Sequence, residues 1–270
     1  QNATALGTTA NGTIVTAGAT LNINGVAIGN EAVTLDGVGV SGSGALTGTG
    51  AASLSGGISL GATTPTIGGA GTLTLSGVIA DGAGTTLTKV GAGTLTLSGA
   101  NTYTGTTTVN AGTLAYGAGN AITTGAVTVD GATAILALGT NQSGTVGTVT
   151  VANGGSITGT GTSSLTSTGT FEMQDGTVNA ILAGAGIPLN KTGTGTVTLS
   201  GVNTFTGVTT ITAGTLSVAT IGDGLVAGNL GAAAAAAGNL VLNGGTLQYT
   251  GANASTNRVI TLTPGTTTSA

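Results

Sequence analysis

The chain has 270 residues, 54 of them glycine, with 4% charged and 2% aromatic side chains and a formal net charge of −4. Globular chains average about 7% glycine and roughly 25% charged residues, so this composition points to a fibrous or repetitive architecture, and 3 basic residues are too few to grip a nucleic-acid backbone. Collagen is excluded because glycine does not fall at every third position, and disorder is opposed by regularly placed Val, Ile and Leu.

The chain opens on Gln1, without Met, a basic region or an apolar core, as expected of an exported protein whose signal peptide has been removed, or of a trimmed piece of one. No stretch of about 18 apolar residues exists, and the most apolar run, Ala232 to Ala237, is far shorter. Hence no transmembrane segment is expected. Alternation alone allows a lipid-facing barrel, but so few aromatics cannot build its girdles.

Short alternating segments dominate the chain: Thr72 to Leu75, Thr94 to Leu97, Ala126 to Val129, Thr196 to Leu199 and Asn239 to Leu242. Period two means one face buried and one exposed. Glycine-rich corners separate these segments. Gly50 to Thr66 is more loosely patterned, and Ile221 to Gly238 contains the six alanines. Six alanines are too few for an independent helix and are expected to form a small external turn or a tight rung.

The segments repeat. GTLTLSG occurs at 71–77 and again at 93–99, 22 positions later. The longer unit 89–114, KVGAGTLTLSGANTYTGTTTVNAGTL, aligns without a gap to 191–216, KTGTGTVTLSGVNTFTGVTTITAGTL, at an offset of 102. The expected fold is therefore all-β: one parallel β-solenoid over 1–270, right-handed by the crossover rule, with about 20 residues per rung. That rung size gives roughly 13 rungs and a rod near 60 Å. Outward Thr combines strand propensity with a wet surface. Five of the seven acids, Asp36, Asp81, Asp130, Asp175 and Asp223, precede glycine and are expected at turns; Asn24-Gly25 and Asn243-Gly244 read the same way.

The segment Gly93 to Leu114 resembles the passenger-associated transport repeat, also called the autotransporter-associated β-strand repeat. The resemblance rests on Gly93, Leu95, Leu97, Gly99, Asn101, Tyr103, Gly105, Val109, Gly112 and Leu114. In the second copy it rests on Gly195, Val197, Leu199, Gly201, Asn203, Phe205, Gly207, Ile211, Gly214 and Leu216. NLVLNGGTLQYTG at 239–251 is similar to segments found between such repeats. The resemblance implies rungs of a secreted bacterial β-helix, with no catalytic position to carry over. A complete autotransporter would add a C-terminal barrel, and no barrel-like series of strands precedes Ala270, so the expectation is either an isolated passenger fragment or a protein that uses the repeat and is secreted another way.

The chemistry expected of the chain is sparse. It has no His and no Cys, which removes imidazole catalysis and most zinc sites. Glu172 and Asp175 are the only close carboxylate pair and read as a solvated edge and a corner rather than a glycosidase pair. No phosphate-loop pattern and no repeated calcium-coil motif occurs, so no cofactor and no metal is expected. Lys89 and Lys191, at matching repeat positions, are expected as surface lysines beside a corner. Tyr103 and Phe205 read as stacked or corner-covering aromatics, with a glycan contact as the sharper alternative and Tyr249 as a weaker member of that class. Thr-X-Thr pairs evoke ice-binding coils but do not recur at a constant interval. Asn2, Asn11, Asn141 and Asn253 open N-x-Ser/Thr sequences.

The expected role is a non-catalytic stalk or passenger segment of an extracellular or cell-surface protein, beside neighbouring passenger segments. The alternatives are a filament subunit partnering itself end to end, and an adhesin for cell-surface glycans.

Overall fold

The computed structural model describes residue 6, residues 12–82 and residues 84–263. Their strands are two to seven residues long and all strand ladders are parallel. The expected parallel solenoid is the fold observed.

Each rung contributes to three faces. One face is a 12-stranded sheet running from Leu21–Asn24 to Ile260–Leu262. The second is an 11-stranded sheet from Ala27–Ile28 to Thr246–Tyr249. The third face is interrupted. It starts as a 4-stranded sheet ending at Ile79–Asp81 and restarts as a 3-stranded sheet spanning Ser143–Val146, Ser164–Ser167 and Ile181–Ala183. Twelve stacked strands give a rod about 50 Å long at the usual strand spacing of about 4.8 Å.

Rungs vary in length. Leu87, Thr107 and Val127 stack in register 20 residues apart, Phe171 and Leu189 only 18 apart, and Leu21 and Leu46 25 apart. Thr209 stacks on Leu240, 31 residues later, because residues 219–238 leave the coil and return. The alanine run lies in that excursion. It forms no helix, and of its six residues only Ala233 is buried.

Period-two alternation converts directly into stacked columns. On the 11-stranded sheet, Leu73, Leu95, Leu114, Leu136, Ile157 and Val178 form one inward column, and each is essentially inaccessible. On the 12-stranded sheet, Thr88, Thr108, Thr128 and Thr150 form an outward column. The core is thus a narrow stack of aliphatic layers, which explains how 2% aromatics suffice.

The corners explain the glycine content by clearance more than by dihedral freedom. A Cβ on Gly99 would lie 2.1 Å from the Gly77 carbonyl oxygen, and one on Gly105 would lie 2.0 Å from that of Thr85. The second copy repeats this: Gly201 faces the Ala180 carbonyl at 2.3 Å and Gly207 the Ile187 carbonyl at 2.3 Å. Backbone from one rung sits where a side chain would begin. Gly112 and Gly214 add a left-handed φ, of 64° and 60°, that L side chains avoid.

Gly99→Ala is expected to destabilise the chain by about 1–3 kcal/mol, the usual cost of forcing a methyl into packed backbone. Gly29→Ala, where nothing lies within 4 Å, should stay within about 0.5 kcal/mol of wild type. Thermal denaturation of both variants checks the contrast.

Candidate functional site

The repeat corners combine the motif residues with the buried polar groups. In the first copy the strand Ile79–Asp81 ends the 4-stranded sheet. The next rung passes it as a loop. Asn101 Oδ1 accepts the Ile79 N–H at 2.8 Å, and the Thr102 N–H donates to the Ile79 carbonyl at 2.8 Å. Asn101 Nδ2 reaches the other way and donates to the Ala121 carbonyl at 2.7 Å. One side chain therefore joins three rungs. The second copy does the same: Asn203 Oδ1 accepts the Leu182 N–H at 2.8 Å, Nδ2 donates to the Asn229 carbonyl at 2.8 Å, and the Thr204 N–H donates to the Leu182 carbonyl at 2.9 Å.

Tyr103 and Phe205 fill the space behind these asparagines and are completely buried. They offer no ring face to a sugar; Tyr249, 37% exposed, presents more surface. The two corners differ in one atom. The Tyr103 hydroxyl pairs with Thr107 Oγ1 at 2.7 Å. Phe205 lacks that hydroxyl, and Thr209 Oγ1 is buried without a hydrogen-bond partner. Phe205 instead packs on Phe171, with ring centroids 5.7 Å apart and planes inclined at 52°. Thr107 and Thr209 point into the core column between aliphatic neighbours, contrary to the simple outward-Thr rule.

The lysines correct the sequence reading. Lys89 and Lys191 are not surface residues; they are 2% and 0% exposed. Both lie in the inward column that includes Ile67, Val109, Met173 and Ile211. Lys89 Nζ donates to the carbonyls of Val90 at 2.8 Å, Gly91 at 2.8 Å and Ala111 at 3.0 Å. Lys191 Nζ donates to Gly193 and, at 3.1 Å, to Ala213. The available signal was phase: Lys89 lies two residues after Leu87, in the buried register of Leu-Thr-Lys. Arg258, which the sequence did not single out, completes the set. Its guanidinium donates to Gly222 at 2.8 Å, Gly231 at 2.8 Å, Asp223 at 3.3 Å and Ala233 at 3.4 Å, clamping the excursion. All 3 cations of the chain thus serve backbone carbonyls.

Four of the five corner aspartates tie rungs together. Asp36 Oδ1 accepts the Thr63 N–H at 2.9 Å and the Thr63 hydroxyl, Asp130 accepts Asn153 Nδ2 at 2.6 Å, and Asp223 accepts the Asn257 N–H at 2.8 Å. Asp81 Oδ2 accepts the N–H groups of Thr85 at 2.7 Å, Thr104 at 3.0 Å and Gly105 at 3.3 Å. Burial pushes the Asp81 carboxyl up, but those donors outweigh it and leave the group below its usual range. The Thr63 hydroxyl, then the Thr63 N–H, lower that of Asp36. Asp175 lies against Gly195, whose Cβ would meet its carboxyl carbon at 2.6 Å. Glu172 accepts Asn190 Nδ2 at 2.7 Å and faces outward on the sheet. Among the described residues, no group of three or more His, Cys, Asp or Glu is placed to hold a metal ion.

Thr72, Thr94 and Thr113 align on one outward column, but Ala115 follows Thr74 and Thr96 on its neighbour, so the paired-threonine array stops. Asn2 and Asn11 lie outside the described residues. Asn141 uses Oδ1 to accept the Thr162 N–H at 2.9 Å, and Asn253 is exposed.

Stacked parallel rungs, aliphatic columns and corners whose polar side chains serve backbone carbonyls define a structural β-solenoid. Its particular kind follows from comparison with known proteins. The passenger-associated-transport-repeat family model matches residues 87–115 and 189–218, so the solenoid carries two such repeats, and each contains one of the asparagine corners. The chain is also 38% identical over 278 residues to the adhesin BmaC autotransporter of Brucella suis biovar 1 (strain 1330), across 95% of this chain and 7% of that protein. It therefore spans a small fraction of the length of this relative. No solved structure matches.

Two outcomes test this corner. Phe205→Tyr should stabilise the protein by about 0.5–1.5 kcal/mol by giving Thr209 a partner, and the gain should vanish in the Phe205→Tyr, Thr209→Val double variant; chemical denaturation measures both. Burial lowers the Lys89 pKa to about 8 from 10.5 and raises that of Tyr103 to about 12 from 10.0. Between pH 8 and 10 the unfolded chain binds more protons at Lys89, so stability should rise with pH. Above pH 10 the unfolded tyrosines ionise first, as Tyr116 is also raised by burial, so stability should fall. Denaturation across this range should show a maximum near pH 10, and Lys89→Met should weaken the rise while leaving the fall.

Proposed function

We propose that the chain is a passenger segment of a bacterial surface protein: a rigid extracellular spacer that holds other parts of the molecule away from the cell. The observation that carries this reading is the unbroken ladder of the 12-stranded sheet, a rod with a packed aliphatic core. The two transport repeats and the likeness to an autotransporter adhesin support the location. Extracellular placement also fits the surface chemistry. Every basic side chain is buried, and the acids with accessible surface are Asp36, Asp81, Asp130, Glu172, Asp175 and Asp223. Such a surface is repelled by anionic membranes and polysaccharides, so the rod stands off rather than lying down.

A second reading, end-to-end stacking into a filament, rests on a different observation. The last strand of the long sheet exposes Ile260 by 42% and Leu262 by 74%, next to Val259 at 45%. An open strand edge with apolar side chains is a template for a further rung. In the spacer reading that rung belongs to the same polypeptide; in the filament reading it belongs to a second copy. Adhesion, the property named for the relative, is assigned on the spacer reading to parts of the molecule that the rod presents.

Electron microscopy of the purified chain over a concentration series separates these readings. Single rods about 50 Å long, the span of twelve strands, at every concentration support the spacer. Filaments that lengthen with concentration support stacking, and compact particles contradict both.

A further inference from the structure

The two repeats occupy the same place in the architecture. Ile79–Asp81 is the last strand of the 4-stranded sheet, and the first repeat follows it; Ile181–Ala183 is the last strand of the 3-stranded sheet, and the second repeat follows it. The other two faces run on through both repeats. Only the third face stops.

A sheet that stops leaves unpaired N–H and C=O groups on its final strand, and such an edge recruits extended chain from elsewhere. Each repeat covers that edge with its own atoms. Asn101 Oδ1 takes the place of the carbonyl that a next strand would offer to Ile79, at 2.8 Å, and Asn203 Oδ1 does so for Leu182, at 2.8 Å. The backbone carbonyls on the same edge are met by consecutive N–H groups: Thr102 and Tyr103 donate to Ile79 at 2.8 and 3.2 Å, and Thr204 and Phe205 donate to Leu182 at 2.9 and 3.2 Å. The next donors reach past the strand end. The Thr104 N–H meets the Asp81 carboxylate at 3.0 Å in the first copy, and the Thr206 N–H meets the Gly184 carbonyl at 3.1 Å in the second.

The residue has to be asparagine for a reason of hydrogen-bond count. The position needs an acceptor toward the strand below and a donor toward the rung above, where the Ala121 and Asn229 carbonyls wait at 2.7 and 2.8 Å. The amide supplies both from one planar group. Aspartate lacks the donor and leucine lacks both. The aromatic two residues later fills the volume that a strand's inward side chains would have occupied.

We infer that each repeat is a stop element for the third face: Asn101 and Asn203 terminate a β-sheet inside a continuing solenoid and keep its last strand from pairing with an extended segment of a second copy. This goes beyond the spacer reading, and its test does not depend on it.

Amide hydrogen exchange, resolved by residue, tests the inference on the full chain. Asn101→Ala should speed exchange at the Ile79 amide at least tenfold while leaving Ile58, one strand deeper in the same sheet, unchanged. Asn203→Ala should do the same at Leu182 and leave Ile79 protected, so each variant is the control for the other. Thr107→Val removes a buried hydrogen bond in the same rung as Asn101; it should lower overall stability without singling out Ile79. The stop role also predicts that both asparagine variants self-associate at lower concentration than wild type, measured by sedimentation velocity. Unchanged protection at Ile79 and Leu182, or a loss spread evenly over all three faces, overturns the inference; so does selective loss without any gain in self-association, which would leave the asparagine a local staple and not an edge guard.

Discussion

Everything in this molecule depends on one spacing, the separation of about 4.8 Å at which one strand's backbone meets the next. The separation must hold at the corners as well as along the flat faces. At the corners there is no room for side chains: a Cβ on Gly93 would lie 2.1 Å from the Gly71 oxygen, and one on Gly99 2.1 Å from the Gly77 oxygen. Glycine is therefore the residue that lets the ladder turn. Corner carbonyls that no strand can reach then need other donors. The chain meets that need with its scarce cations, Lys89, Lys191 and Arg258, and with the amides of Asn101 and Asn203. A buried ammonium is costly to desolvate, which is why burial depresses the Lys89 and Lys191 pKa values. Surrounding each one with carbonyl dipoles is what makes the position tolerable.

The regular part of this design was legible in the sequence. Thr-Leu-Thr-Leu at 72–75 and 94–97 announces both the strand and its buried face, and the two copies stack in register as their 22-residue spacing implies. What could not be read was long-range hydrogen bonding. Asn101 and Asn203 stand out as motif positions, but their partners lie 20 to 26 residues away on other rungs, and no local pattern identifies them. Arg258 is harder still, since its acceptors lie 25 to 36 residues earlier inside an excursion with no periodicity. For the lysines, charge and phase point in opposite directions. Charge predicts an exposed side chain, whereas the phase of Leu-Thr-Lys at 87–89 puts the lysine in the buried register. The glycines were recognised as corners, yet for most of those in the repeats the deciding factor is the neighbouring rung's backbone and not a left-handed dihedral.

Burying the cations also shapes the outside. Neutral hydroxyls cover much of the surface, as in the Thr88, Thr108, Thr128 and Thr150 column, and the accessible charge is acidic throughout. On the spacer reading, stand-off thus comes from the same choice that satisfies the corners. The variable rung, from 17 residues between Ser164 and Ile181 to 31 between Thr209 and Leu240, shows that the coil accepts insertions on one face without losing register on the others. A scaffold of this kind can lengthen or acquire surface loops one rung at a time, because each rung contacts only its neighbours.

Every column and corner of the rod depends on the stacking register, and the absence of cysteine allows paired spin labels to measure it without background. Thr88 and Thr210 are separated by six ladder steps through Thr108, Thr128, Thr150, Glu172 and Asn190. Labels at Thr88→Cys and Thr210→Cys should give one narrow electron–electron distance distribution near 29 Å, the product of those steps and the strand spacing, and labels at Thr88→Cys and Glu172→Cys one near 19 Å, four steps at the same spacing. Distances that fail to scale with the number of rungs, or that spread over tens of ångströms, would contradict the solenoid.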